Sequence, residues 1–315
     1  MSKFGSLDAL YDAFDQLHME GGWHRRVPAL WPEPRSILLP YCWHYDQVRP
    51  ILDAAGTLVS TEFAERRNLT MRNPAPDNVY CTVRTMVAAY QMIRPGETAD
   101  AHRHTPGALR IILDGRGSYT TVDGVRLEMR PGDVLLTPSQ CWHSHENVGN
   151  EDCYWVDVLD VPLIHLLEPM FFERHPEKLE KDFVDQESAP LVFRWESILT
   201  GLAAARPAED GMASKQISLG EPAMKTIGLY AQQFVDGFES RCRRTTSNQI
   251  LTILEGEGET SIDGQVLKWR RGDVLAIPSW RAYQHRVSSD AIAICATDEP
   301  VYAQLNLLKT KFENE

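Results

Sequence analysis

Short apolar runs separated by glycine- and aspartate-rich turns dominate the chain from about residue 83 onwards. This pattern predicts strands over residues 85–93, 109–113, 118–122, 125–129, 134–137 and 154–159. The dipeptide Asp123-Gly124 predicts a tight hairpin turn between two of them. Many short strands joined in this way favour a β-barrel or a double-sheet jelly roll.

The first eighty residues follow other patterns. Leu7, Leu10 and Phe14 recur at helical spacing and predict an amphipathic helix with Ser6 as its cap. A short helix is predicted over residues 46–55. Prolines and tryptophans between the two helices favour extended wrapping segments over a separate domain.

The second half of the chain repeats the first at an offset of about 140 residues. Gly115 recurs as Gly256, and Asp133 recurs as Asp273, each within a similar turn. We therefore predict two barrels that arose by duplication. The predicted organisation is a wrapping segment (1–80), a catalytic barrel (81–165), a helical or irregular linker (166–215) and a second barrel (216–315).

Composition narrows the possible functions. The 315 residues carry a net charge of −12, with 43% hydrophobic residues, as expected of a soluble globular protein. The acidic balance argues against nucleic-acid or anionic-membrane binding. No apolar run approaches a membrane span, and the first four residues do not open a signal peptide. Six scattered cysteines predict reduced thiols and a cytoplasmic protein.

Three histidines are the candidate chemistry. His102 and His104 are one residue apart in a strand-rich region, and on a β-strand residues i and i+2 share a face, so the two side chains can point to one ion. His143 follows from another strand, five residues after Pro138. Three neutral imidazoles suit a divalent transition metal and leave positions open for chemistry. Zinc, or a metal without a catalytic role, is the alternative.

The second barrel has different residues at the corresponding positions. By the same offset, His143 corresponds to Tyr283, and the other two histidines correspond to Arg243 and Thr245. These side chains do not form a transition-metal site. We therefore predict one metal ion per chain, in the first barrel, and a role as scaffold for the second.

Several motifs between residues 64 and 162 resemble one known family in combination. They are Ala64-Glu65-Arg66-Arg67, Arg94-Pro95-Gly96-Glu97, Ala101-His102-Arg103-His104-Thr105, Gly107-Ala108-Leu109-Arg110, the run from Gly115 to Gly124, Trp142-His143-Ser144-His145 and the run from Trp155 to Pro162. Together they are similar to the gentisate 1,2-dioxygenase family of cupins, ring-cleaving enzymes of gentisate and salicylates.

The resemblance implies an all-β-dominated bicupin, with two double-stranded β-helix barrels, that forms a homotetramer. It also implies an Fe(II)-dependent dioxygenase of aromatic catabolism, which inserts O2 between C1 and C2 of a 2-hydroxybenzoate. Where many metal cupins add a glutamate ligand, this chain has Ala108 and Leu109. Without that carboxylate, the ion keeps its charge and its room for a chelating carboxylate and phenolate.

Arginines are the candidate partners of the substrate carboxylate. Arg110 lies six residues after His104, so on a regular strand it shares the inward face. A buried arginine needs an anion, and we predict that this anion is the substrate carboxylate. A salt bridge to an internal acid such as Asp157 is the alternative. By resemblance, Arg66 is the second candidate, with an ordinary ion pair as its alternative.

Other residues are candidates for the pocket. His145 is predicted to bond the substrate hydroxyl or to accept its proton, with a satisfied core histidine as the alternative. By resemblance, Gln91 and Asp157 belong to the pocket. The family pattern has tryptophan where Val87 stands and glycine where Ala89 stands. The reshaped pocket favours a 5-substituted salicylate, with a 5-nitro, 5-halo or 5-hydroxy group, the last being gentisate.

Two other functions are compatible with parts of this pattern. One is another metal-dependent cupin enzyme, an isomerase or dioxygenase, acting on a non-aromatic acid. The other is a non-catalytic binding bicupin. The intact histidine trio of the first barrel argues against the second of these.

Overall fold

The computed structural model describes residues 4–23, 29–64, 66–187, 190–220 and 224–313. The prediction about the first residues of the chain therefore falls largely outside the described part, as does Glu65 of the family motif. Within the described residues, no helix is long and apolar enough to cross a membrane.

Residues up to Pro34 form a unit of their own. Its helix α1 (Leu7–Gln16) begins at the predicted cap, because the hydroxyl of Ser6 accepts a hydrogen bond from the backbone N–H of Ala9 at 3.1 Å. The rings of Phe14 and Trp23 meet edge to face.

The remainder of the chain, from Arg35, forms the second unit. Up to the end of the first barrel its elements are β1 (Tyr41–Trp43), α2 (Tyr45–Leu58), α3 (Thr61–Ala64), β2 (Arg67–Thr70), β3 (Val87–Ile93), β4 (Thr98–His104), β5 (Ala108–Asp114), β6 (Ser118–Val122), β7 (Val125–Met129), β8 (Val134–Thr137), β9 (His143–Asn147), β10 (Cys153–Leu159) and α4 (Val161–Leu167).

The second half largely repeats this succession. Its elements are β11 (Phe172–Arg174), β12 (Val184–Asp185), β13 (Val192–Phe193), α5 (Trp195–Ala204), β14 (Lys215–Ser218), β15 (Gly228–Phe234), β16 (Arg243–Thr245), β17 (Gln249–Glu255), β18 (Glu257–Ile262), β19 (Gln265–Arg270), β20 (Val274–Ile277), β21 (Tyr283–Val287), β22 (Ala291–Thr297), α6 (Glu299–Gln304) and β23 (Thr310–Phe312). Within the described residues, the repeat runs from β13 onwards, without a counterpart of α3 and with the added strand β23.

Each barrel consists of two facing sheets. In the described residues, the first barrel has the strand orders β13-β8-β5-β10-β3-β2 and β11-β4-β9-β6-β7-β12. The second has the orders β1-β20-β17-β22-β15-β14 and β19-β18-β21-β16-β23. The predicted duplication of a double-sheet jelly roll is therefore present, and one cluster of buried apolar side chains includes strands of both barrels.

Each barrel is completed by a strand from the segment that precedes the other barrel. Strand β1 precedes the first barrel but pairs with β20 of the second, and β13 precedes the second barrel but pairs with β8 of the first. After a helix, β2 and β14 then join the barrels that follow them in the chain. The duplicated unit thus begins before each barrel, and the two copies interlock.

Glycines permit this exchange. Gly132 and Gly272 have φ values of +88° and +87°, a region that L side chains rarely adopt. A Cβ at Gly272 would overlap the ring of Tyr45 at the start of α2, and one at Gly132 would overlap the ring of Trp195 at the start of α5. Each glycine therefore lets an aromatic residue of the exchanged segment lie directly on the turn.

A pair of aspartates links the two copies. The carboxylate of Asp160, after the first barrel, accepts hydrogen bonds from the hydroxyl of Thr226, which precedes β15, at 2.6 Å and from the N–H of Gly107 at 2.9 Å. Its counterpart Asp298 accepts one from the hydroxyl of Thr85, which precedes β3, at 2.5 Å. A buried carboxyl group after each barrel is thus joined to the residues just before β15 or β3 of the other barrel.

We expect Asp298 to make the fold less stable as pH rises from about 4 to about 6. Burial raises the pKa of its carboxyl group from the ordinary 3.8 to about 6. The folded chain therefore keeps a proton that the unfolded chain has released. The resulting stability is complete below the unfolded-state pKa and is lost as pH rises through the folded-state pKa, by about 3 kcal/mol at most.

Urea unfolding of the wild type and of Asp298→Asn across this pH range measures the effect. The free energy of unfolding of the wild type should fall relative to that of the variant as pH rises. A difference between the two proteins that stays constant with pH would contradict the role of this carboxyl group.

Candidate active site

Strands β4 and β9 bring the three predicted histidines together. His102 lies opposite His143 in the antiparallel register, and His104 follows two residues along β4. One ring nitrogen from each histidine lies within 4.8 Å of the others. His102 and His143 are buried, whereas His104 is partly exposed. The trio therefore has the compactness that a single metal ion requires.

The backbone sets the tautomer of each imidazole. In each ring, Nδ1 lies within hydrogen-bond distance of a backbone carbonyl two residues away: Asp100 at 3.0 Å for His102, Pro106 at 2.8 Å for His104 and Cys141 at 3.1 Å for His143. A carbonyl can only accept, so Nδ1 carries the proton and Nε2 carries the lone pair.

The lone pairs point to a ligand. Nε2 of His143 is buried and has no hydrogen-bond partner among the described residues. Burial lowers the pKa of His104, and burial together with the charge of Arg110 lowers the pKa of His143 well below its ordinary value. The imidazoles of His104 and His143 are therefore neutral and suited to coordination. This donor set fits a divalent transition metal.

The corresponding position of the second barrel is filled by other side chains. Arg243 lies opposite Tyr283, which agrees with the predicted correspondence to His102 and His143. The guanidinium of Arg243 donates to the hydroxyl of Tyr283 from Nε at 2.9 Å, and Gln249 donates to the same oxygen at 2.8 Å. These residues hydrogen-bond one another where the first barrel has its histidine trio.

Arg110 lies beside an internal acid. In the register of β5 and β10 it lies opposite Asp157, and its Nε is 3.4 Å from Oδ1 of that carboxylate. Its Nη1 donates to the hydroxyl of Thr137 at 2.5 Å. Both charged side chains are almost fully buried. The internal salt bridge that the sequence left open as an alternative is thus present, while the guanidinium still has further donors to offer a ligand.

Two further predicted residues extend this network. Nε of Arg66 donates to the side-chain oxygen of Gln91 at 2.5 Å, and the Gln91 amide donates to Asp157 at 2.6 Å. Burial raises the pKa of the Asp157 carboxyl group, and the charges of Arg110 and Arg66 oppose that shift. Among the described residues, Arg110 pairs with this carboxylate directly and Arg66 reaches it through Gln91, which leaves an excess of positive charge near the histidines.

His145 is buried beside the trio. Its ring centroid is 6.1 Å from that of His143 and 5.8 Å from that of Trp155. Neither of its ring nitrogens has a hydrogen-bond partner among the described residues. Burial and the charges of Arg110 and Arg66 lower its pKa well below the ordinary value. The alternative predicted from the sequence was a core histidine whose ring nitrogens are both hydrogen-bonded. A buried neutral imidazole with two unsatisfied nitrogens instead favours a role in contact with a ligand.

Val87, Ala89 and Gln91 alternate along β3, so they share a face. Ala89 lies opposite Asp157, which in turn lies opposite Arg110 on the next strand. Paired residues of neighbouring strands project to the same side of a sheet. Val87 and Ala89 are both buried and therefore line the same side of the sheet as the arginine network.

The sequence pattern missed some residues of the site. Thr137 accepts a hydrogen bond from Arg110. In the sequence, the one feature that distinguishes it is its position as the polar residue at the end of an otherwise apolar strand. Phe172 lies on β11, which pairs with β4, and its ring centroid is 5.2 Å from that of His102. Nothing in the proline-rich segment around Phe172 indicated a strand.

Comparison with known proteins agrees with this geometry. A family model described as a cupin domain matches residues 89–159. The chain is 33% identical to the 5-aminosalicylate 1,2-dioxygenase of Comamonas sp., over 96% of this chain and 89% of that protein. It is 30% identical to gentisate 1,2 dioxygenase 1 of Aquipseudomonas alcaligenes, over 87% of each.

A solved structure extends the likeness to three dimensions. The salicylate 1,2-dioxygenase of Pseudaminobacter salicylatoxidans superposes with a TM-score of 0.89 at 25% identity, covering 99% of this chain and 98% of that one. The predicted bicupin fold and the resemblance found in the motifs are both confirmed. The chain belongs to the cupin family of ring-cleaving 1,2-dioxygenases, which includes the gentisate 1,2-dioxygenases.

Proposed function

We propose that this dioxygenase uses Fe(II) to insert O2 between C1 and C2 of a 2-hydroxybenzoate, preferably a 5-substituted salicylate. The observation that carries the proposal is the charge balance beside the histidine trio. Among the described residues, Arg110 pairs with the carboxylate of Asp157 and Arg66 reaches the same carboxylate through Gln91, which leaves one positive charge for an anionic substrate. Relatives named for gentisate, salicylate and 5-aminosalicylate support this substrate class.

The histidines and arginines divide the work of binding. Held by His102, His104 and His143, Fe(II) supplies a site where a chelating hydroxy acid and O2 can meet and exchange electrons. Arg110 binds the substrate carboxylate, with Arg66 contributing from the same network. Their fixed hydrogen bonds orient the ring before the reaction, which lowers the entropic part of the barrier.

The remaining residues handle the proton and the shape of the pocket. His145 is neutral and buried beside His143, so a ring nitrogen is available to hydrogen-bond the substrate hydroxyl and to take up its proton as that group ionises. Gln91 holds Arg66 through a hydrogen bond, and Asp157 holds Arg110 through their ion pair. Val87 and Ala89 form a wall that determines which substituent fits on the ring.

Oxygen uptake tests the proposal. The protein, loaded with Fe(II) under anaerobic conditions, should consume O2 and substrate one to one with at least one of gentisate, salicylate, 5-nitrosalicylate, 5-chlorosalicylate and 1-hydroxy-2-naphthoate. Labelled O2 should leave both of its atoms in the product. If the iron-loaded protein consumes no O2 with any of these compounds, the function is instead that of a metal cupin acting on a non-aromatic acid.

Restoring the family pattern on β3 should change the preferred substrate. With Val87→Trp and Ala89→Gly together, we expect kcat/KM for gentisate to rise about tenfold relative to 5-chlorosalicylate, because one such pocket contact is worth about 1–3 kcal/mol. Steady-state kinetics on both substrates measure the ratio. The matched control is Ala88→Gly, a buried position on the opposite face of the strand. The same shift in the control, or none in the double variant, would contradict the assignment of this wall.

We also propose that the enzyme acts as a homo-oligomer, a tetramer by family resemblance, in the cytoplasm. The six cysteines, all within the described residues, are free thiols, which supports a reducing compartment. Light scattering on the purified protein tests the oligomeric state.

A further inference from the structure

Cys42, His44 and Asp273 form a second cluster of metal-ligating groups, away from the histidine trio. Cys42 lies on β1 and His44 directly follows that strand, so the two share a face. Asp273 lies in the turn just before β20, the strand with which β1 pairs. One ligand atom from each side chain lies within 4.8 Å of the others. Cys42 and Asp273 are buried, and the side chain of His44 is 37% exposed.

The first barrel has a different set of residues at the same place. There the exchanged strand β13 contributes Val192, and Arg194 follows it with its guanidinium 2.5 Å from the carboxylate of Asp133. A permanent cation thus neutralises this buried acid. In the second barrel the corresponding acid, Asp273, faces an imidazole and a thiol, which are both metal ligands.

The carboxylate of Asp273 is held in place by the backbone. It accepts hydrogen bonds from the N–H of Tyr45 at 2.9 Å and the N–H of Arg270 at 3.1 Å. Nδ1 of His44 lies 2.8 Å from the oxygen Oδ2 of the same carboxylate. Ligating carboxylates are oriented by hydrogen bonds of this kind. The charged partner that Arg194 supplies in the first barrel is replaced here by groups that can share a metal ion.

We propose that Cys42, His44 and Asp273 bind a Zn²⁺ ion. Thiolate, imidazole and carboxylate are the ligands that zinc takes in proteins, at bond lengths of about 2.0–2.3 Å. In a tetrahedral site the ligand atoms lie roughly 3.5 Å apart, whereas the three ligand atoms here lie within 4.8 Å of one another, so the cluster contracts by at most about 1.3 Å. Nδ1 of His44 and Oδ2 of Asp273, which are 2.8 Å apart, separate slightly to admit the ion. His44 lines a cleft of about 670 Å³ together with Glu257 and Glu259. Water from this cleft supplies the fourth ligand.

The protons balance when the ion binds. The ion takes the place of the proton between Nδ1 of His44 and Asp273, and that proton moves to Nε2 of the same imidazole. The thiol of Cys42 releases its proton to solvent and becomes the thiolate ligand. The bound ion then joins β1, which precedes the first barrel, to the turn before β20 in the second, so it connects the two interlocked copies.

Cobalt titration of the full chain tests the site. Co²⁺ replaces Zn²⁺ and gives an ultraviolet charge-transfer band when a thiolate binds it, a band that three imidazoles cannot give. We expect the metal-free protein to bind about two Co²⁺ ions per chain, to show this band, and to lose the band when Zn²⁺ is added. Absence of the band in the wild type would overturn the proposal and leave a hydrogen-bonded histidine–aspartate pair.

Two variants separate this site from the active site. Cys42→Val with His44→Arg copies Val192 and Arg194 of the first barrel, so it should fold. We expect it to lose the band and one ion per chain while its oxygen uptake stays unchanged. His104→Ala should keep the band. A band that persists in the first variant, or that disappears in the second, would assign the thiolate elsewhere and overturn the proposal.

Discussion

His104→Ala should lose its bound metal and lower kcat for ring cleavage by about a thousandfold or more. Two imidazoles remain, that of His102 on β4 and that of His143 on β9. A site with three protein ligands that loses one becomes too weak to retain iron against dilution. His104 is partly exposed, so its truncation leaves the core intact. Elemental analysis and oxygen uptake on the same sample measure both losses.

The second barrel offers a matched control for this experiment. Thr245 occupies the position that corresponds to His104 in the duplicated strand. Thr245→Ala should therefore keep the metal content and the turnover of the wild type. If His104→Ala retains iron and full activity, the assignment of the trio as the metal site is wrong.

The barrel strands and the histidine trio could be predicted because both depend on local spacing. Residues i and i+2 of a strand share a face, which placed His102 and His104 together before any fold was known. The offset of the internal repeat likewise predicted that Arg243 and Tyr283 correspond to His102 and His143, and the two residues lie opposite each other in the strand register. Such features need only a short window of sequence and one alignment of the chain with itself.

The partners of short segments could not be predicted in this way. Strand β1 spans three residues, and nothing in them says that they pair with β20 instead of a strand of the barrel that follows. The pairing of Arg110 with Asp157 depends on the register between β5 and β10, which are separated by four other strands in the chain. The exchange of strands between the barrels and the ion pair of Arg110 are both properties of the assembled sheets. The sequence alone therefore did not decide between the substrate carboxylate and Asp157 as the partner of Arg110.

Arg110→Ala should both destabilise the protein and weaken substrate binding. Its guanidinium forms the direct ion pair with the almost fully buried carboxylate of Asp157, and Arg66 reaches that carboxylate only through Gln91, so removal of Arg110 costs about 3–5 kcal/mol. Loss of a charged hydrogen bond to the substrate carboxylate should raise KM at least about tenfold. Urea unfolding and steady-state kinetics measure the two effects, and the iron content should stay unchanged.

A double variant separates these two effects. Arg110→Met with Asp157→Asn removes both charges and keeps an acceptor for the Gln91 amide, which bonds Asp157 at 2.6 Å. Replacing both members of a buried ion pair is often close to neutral, so the free energy of unfolding should recover most of its loss. The raised KM should persist, because the substrate carboxylate still lacks its partner. If the double variant recovers a normal KM together with its stability, Arg110 serves the fold alone and Arg66 binds the carboxylate.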